Sequence, residues 1–254
     1  MTRETAVIFE DNFSELAQLY AQHRPQYPAA LFADLAALAP GHDRVWDCGT
    51  GNGQSAIGLA DYFQHVIATD ASAEQIAHAR PHARIEYRVA GFDRVDVNSQ
   101  SLDMVAVAQA IHWFDLDRFY AEVRRVLKPG GILAVWGYHL NEIAPEIDRV
   151  IRIYNDDVLG PYWSPRIRLL AEHYRVIDFP FEELTPPQWV METNWDLNDL
   201  IGYLASWSGV PKYIEARRRH PLEEIRSRLF EAWGPPDQLR PVHWPLYFRI
   251  GRIA

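Results

Sequence analysis

The chain has 254 residues, 48% of them hydrophobic and 23% charged, the balance of a globular protein rather than a disordered or fibrous one. Its 34 acids outweigh 25 lysines and arginines, a net charge of −9 that argues against nucleic acid as substrate; the one basic run, Arg217-Arg218-Arg219, reads as a solvated helix face. One cysteine, Cys48, excludes an intrachain disulfide; Glu4, Glu10, Asp11 and Glu15 exclude a signal peptide, and no run of eighteen apolar residues exists to cross a membrane, so a cytoplasmic location is expected.

Phe13, Leu16, Leu19 and Tyr20 lie on one side of a helix expected over residues 12 to 24. It runs into Arg24-Pro25-Gln26-Tyr27-Pro28, suited either to a lid or to packing on the core. Strands and helices then alternate. Strands are expected at 44–48, 66–69, 85–89, 102–108 and 132–136. Helices are expected at 54–62, after a Ser72 cap through Ile76 to Pro81, and from Asp115 through Leu127, ended by Pro129-Gly130-Gly131. This alternation predicts an α/β fold with a doubly wound parallel sheet, whose ligands bind beyond the carboxyl ends of the strands. After residue 137 prolines break the pattern into short helices rich in aromatics, and a strand over 242–250 closes the chain. That half is expected to supply a helical cap and the last two strands.

The stretch richest in chemistry is Asp47-Cys48-Gly49-Thr50-Gly51-Asn52-Gly53, directly after the first strand. Alternate glycines let a backbone loop approach a ligand closely. Asp70 closes the second strand, where a carboxylate can accept from ribose hydroxyls. Together they imply a nucleoside-containing cofactor. A dinucleotide loop wants a third glycine where Gln54 stands, and Asp47 would repel a pyrophosphate while suiting an ammonium group.

In these residues the sequence resembles the class I S-adenosylmethionine (SAM) methyltransferases. Further stretches narrow the likeness to a small-molecule branch similar to trans-aconitate methyltransferase. They are Tyr20 to Pro28, Gln109-Ala110-Ile111-His112-Trp113-Phe114, Arg125 to Gly131 and, more weakly, Trp207 to Tyr213. The resemblance implies a seven-stranded, mostly parallel Rossmann-like sheet with an antiparallel last strand. It implies a single domain over 1–254: a lid helix in 1–30, a SAM-binding core in 31–138, and cap insertions plus two strands in 139–254. It implies SAM as methyl donor. Gly49, Thr50, Gly51 and Gly53 would hold its methionine end, with Asp47 near the ammonium. Asp70 with Ala71 would bind the ribose, Phe92 and Asp93 the adenine, and Gln109 and Ala110 would flank the sulfonium. Tyr20 and Arg24 would close over it.

Methyl transfer needs its nucleophile close, aligned and dry, and needs a base only where the acceptor must lose a proton. His112, just past the fourth strand, is the candidate base; the alternative is a residue that only shapes the loop. Trp113, Tyr138 and Trp207 are candidate acceptor contacts. A carboxylate acceptor would want a cation, for which Arg166, Arg168 and Lys212 are available. Ten histidines without H-E-x-x-H spacing give no metal site. The expected activity is methylation of oxygen on an organic acid or phenolic metabolite by a monomer or homodimer. The alternatives are C- or N-methylation and a non-catalytic SAM-binding protein.

Overall fold

The computed structural model describes residues 25–186 and 188–253, so the helix expected at 12–24, with Tyr20 and Arg24, lies outside the described residues. The chain forms two compact units. The larger takes in Gln26–Glu142, Ser164–Glu192 and the chain from His243 onward. Its helices are α1 (Ala29–Leu38), α2 (Gln54–Ala60), α3 (Ala73–Ala77), α4 (Leu116–Val126) and α6 (Ile167–Ala171). Its sheet uses β1 (Arg44–Cys48), β2 (His65–Asp70), β3 (Ile85–Val89), β4 (Leu102–Ala108), β5 (Leu127–Gly137), β6 (Glu182–Leu184) and β9 (Tyr247–Arg252).

The seven strands run in the order β3-β2-β1-β4-β5-β9-β6. β1 to β5 are parallel, and β9 enters antiparallel between β5 and β6. The expected Rossmann-like sheet with an antiparallel last strand is therefore present. The order reverses beside β1, so the ends of β1 and β4 diverge into a crevice, the place where such sheets bind ligands. One sheet face buries Trp46, Val105, Val107, Leu133 and Val135 with Phe119, Val123 and Val126 of α4. That apolar stripe on α4 is the one its sequence spacing predicts. Asp115 caps α4 by accepting from the Arg118 amide, and Ser72 caps α3 the same way from Gln75.

Two details depart from expectation. α4 ends at Val126 and β5 begins at Leu127, before the Pro129-Gly130-Gly131 turn rather than after it. Asp103 explains this: its buried carboxylate takes the amides of Asp43 and Arg44 and the ammonium of Lys128 (2.7 Å), binding Lys128 into the sheet. Next, the strand expected at 242–250 is two strands in two sheets. β8 (Arg240–Pro245) pairs with β7 (Val190–Trp195), and Leu246 separates β8 from β9 by donating to the Trp189 carbonyl. Pro245 lacks the amide that would continue one ladder. Residues 90–101, between β3 and β4, where the sequence predicts no helix, contain none. Glu122 accepts from the buried Val95 amide, while Arg125 donates to the carbonyls of Val95 and Val97, and these bonds pin that link instead.

The smaller unit, within the described residues beyond 142, comprises Ile143–Trp163 and Thr193–Val242. It holds α5 (Pro145–Ile153), α7 (Leu197–Ala205), α8 (Val210–Arg217) and α9 (Arg226–Trp233). Asp196 and Asp199 form a capping box at the start of α7. Its interior is aromatic: Trp207 stands 5.6–5.8 Å from the rings of Tyr154, Trp163 and Tyr203.

Candidate active site

The glycine loop is built as its sequence requires. Gly49, Gly51 and Gly53 all have positive φ, at 75°, 57° and 89°. Two of them also have no room for a side chain: a Cβ on Gly49 would strike the Ala110 methyl, and one on Gly53 would strike the Tyr87 ring. The loop is fastened to β2, because the Gly49 and Thr50 amides both donate to the Thr69 carbonyl (2.8 and 2.9 Å). Asp70 receives the Gly51 amide on one carboxylate oxygen (2.9 Å) and the Ser72 amide on the other (2.8 Å). A carboxylate has about four lone-pair sites, so each oxygen keeps one acceptor position for a ligand hydroxyl.

Asp47 is fully buried at the end of β1. Its Oδ2 accepts from Thr50 (2.5 Å) and Ser55 (2.6 Å), while Oδ1 has no partner among the described residues. Burial pushes its carboxyl up to about 6, against the pull of the two hydroxyls. A buried acceptor with nothing to accept is costly in a folded protein, and a cationic donor beside it would satisfy it. Cys48, next to it, is buried and its thiol is pushed well up by that burial. Ala71 is exposed after Asp70.

Beyond β4, Gln109 is held in the left-handed region at φ 55°, strain of about 1 kcal/mol for a residue with a Cβ. The Gln109 amide nitrogen donates to the Tyr138 carbonyl (3.0 Å), and its Oε1 is buried without a partner among the described residues. Ala110 follows against Gly49, so the structure brings the β1 and β4 loops together as expected.

His112 is buried, with Nδ1 3.0 Å from the Tyr174 hydroxyl and the two rings stacked. Burial, and then the charge of Arg166, lower its pKa to about 4, so the imidazole is neutral at pH 7. Arg166 donates to the Trp113 carbonyl, and the Trp113 ring is 46% exposed. Tyr138 is buried after β5.

Other expected contacts have protein neighbours of their own or lie in the smaller unit. Phe92 stacks on Phe114 at 4.7 Å, and Asp93 is ion-paired with Arg118, so both have protein partners. Trp207 belongs to the smaller unit. Sequence reasoning missed Ser55 on Asp47 and Tyr174 on His112; the latter is 62 residues away from its partner and carries no local signal. Among the described residues no group of three or more histidine, cysteine or acidic side chains could hold a metal, and no helix is long and apolar enough to cross a membrane.

The sheet order, the left-handed glycine loop on β1 and the acid ending β2 define a class I SAM-dependent methyltransferase, the family to which this chain belongs. A methyltransferase-domain model matches residues 46–135. A Dictyostelium discoideum protein described as a methyltransferase is 32% identical over 255 residues, covering 98% of this chain and 97% of that one. A Saccharomyces cerevisiae protein described as a SAM-dependent methyltransferase is 29% identical over 168 residues, 61% of this chain and 58% of that protein. The solved structure of an Anaeromyxobacter dehalogenans protein described as a type II methyltransferase superposes with a TM-score of 0.84 at 40% identity, over 90% of this chain and 97% of that one.

Proposed function

We propose that the protein binds SAM in the cradle of Gly49, Gly51, Gly53, Asp47 and Asp70 and methylates a small-molecule acceptor, with a carboxylate oxygen favoured. The observation that carries the cofactor reading is the Oδ1 of Asp47, buried without a partner among the described residues, at the foot of a loop where Gly49 and Gly53 have no room for a Cβ. Bound SAM supplies an electrophilic methyl group on a sulfonium. The chain's own residues do the rest. Asp47 offers a carboxylate to the ammonium and Asp70 its free lone pairs to the ribose. Phe92 and Asp93 bound the adenine position, and Gln109 and Ala110 flank the sulfonium.

The character of His112 favours an acceptor that is already ionised. A histidine with a pKa of about 4 is neutral at pH 7 and a poor proton acceptor, so it suits orientation better than general-base work. Arg166 supplies the cation a carboxylate wants, beside the exposed Trp113, whereas Arg168 is engaged with Glu172. The likeness to trans-aconitate methyltransferase supports the same acceptor class.

Calorimetric titration with S-adenosylhomocysteine tests the cofactor site. Binding at about 10 μM or tighter is expected, with Asp70→Ala weaker by about tenfold or more. Absence of binding to the folded wild type would overturn the reading. A screen of small di- and tricarboxylates then tests the acceptor, with Arg166→Ala expected to raise KM more than it lowers kcat.

A further inference from the structure

A cavity of about 650 Å³ lies on the sheet face of β2 and β3, beside the helix-free link between β3 and β4. By strand register Arg44 pairs with His65, Ile67 with Glu86 and Thr69 with Arg88, so these side chains share that face. Arg94 and Arg125 complete the lining from the link and from α4. Five arginines thus line one cavity, against the carboxylates of Glu86 and Asp96, on a chain whose net charge is −9.

The guanidinium groups divide into two sets. Arg88 is bidentate with Glu86 and donates to the Asp96 carbonyl, Arg125 is held by Glu122 and by two carbonyls of the link, and Arg84 donates to the Ala60 carbonyl (3.1 Å). These three are fixed in place. Arg44 and Arg94 are exposed, and their guanidinium groups make no hydrogen bond or ion pair among the described residues, Arg44 feeling only the charge of Glu86 and Arg94 that of Glu122. Charges on an edge strand guard it against pairing with another chain. The Glu86–Arg88 pair serves that purpose on β3; Arg44, on central β1, and Arg94, in the link, do not stand on the edge.

Guanidinium groups that make no hydrogen bond keep their forked donors free, and those donors match phosphate oxygens. The volume suits a small molecule. We infer that this groove binds a small polyanion with two or more phosphate groups, inorganic or carried on a nucleoside, apart from the methyl-transfer site.

The test is titration of the whole protein at low salt with inorganic tripolyphosphate, with ATP and with adenosine. Saturable binding of tripolyphosphate and ATP below about 1 mM is expected, weakening as salt rises. Arg44→Glu/Arg94→Glu should weaken both by about tenfold or more without shifting the thermal midpoint, while Arg44→Lys/Arg94→Lys keeps most of the affinity. If the reversal does not fold, Arg44→Gln alone should weaken binding about threefold. ATP much tighter than tripolyphosphate assigns a nucleotide; equal affinities with silent adenosine assign the phosphates alone. No saturable binding, or binding indifferent to Arg44 and Arg94, overturns the inference.

Discussion

Tyr174 shows how much of the candidate site depends on one side chain. It is held at φ 57° after His173 at φ 54°, two adjacent residues in the left-handed region. The His173 ring stacks on Tyr247 at 4.4 Å, and Arg249 donates to the Tyr174 carbonyl (3.0 Å). That turn aims the Tyr174 hydroxyl at His112 Nδ1. Tyr174→Phe should destabilise the fold by about 1–3 kcal/mol, by leaving a buried ring nitrogen unpaired. In the proposed methyl transfer it should lower kcat while leaving cofactor affinity within about twofold. Asp47, Asp70 and the three glycines were legible because their spacing is local and backbone-driven. The burial of Asp47 and the pairing of Asp93 with Arg118 were not, since both depend on neighbours distant in sequence.

Among the elements, the helix-free link from β3 to β4 shows how tertiary bonds replace local ones. A crossover of this kind is ordinarily helical; here the buried Glu122 carboxylate holds the Val95 amide and Arg125 together. Glu122→Ala should therefore lower unfolding free energy by about 2–4 kcal/mol, since it leaves a buried amide and a guanidinium without their partner. Asp115→Ala, at the exposed cap of the same helix, should cost only about 1 kcal/mol. Urea unfolding of the two variants checks the ranking. The parallel strands were readable from apolar runs between turn residues. The ends of β5 and of β8 were not: Lys128 is drawn into the sheet by Asp103, sixty residues after the first amide that carboxylate binds, and the break at Leu246 depends on the Trp189 carbonyl.

For the whole molecule, two buried groups set opposing responses to pH. His112 has a folded pKa of about 4 against an ordinary 6.5, so its contribution is fully present above pH 6.5 and is lost as pH falls towards 4. Asp47 has a folded pKa of about 6 against 3.8, so it favours the fold at low pH and penalises it as pH rises to 6. Each effect spans about 3 kcal/mol, and the windows overlap. Relative to wild type, His112→Gln should gain stability as pH drops from 6.5 to 4, and Asp47→Asn should lose it. Denaturant midpoints at both pH values read the difference. The aromatic half of the chain was the least legible, because its rings pack without helical or strand periodicity. Its placement has a practical consequence. All of the smaller unit's described residues beyond 142 come from two excursions, 143–163 and 193–242, both after β5. The family match ends at residue 135, before either begins. Both excursions can thus be exchanged or randomised as two contiguous cassettes while the codons for the glycine loop, its supporting strands and the loop of His112 stay untouched.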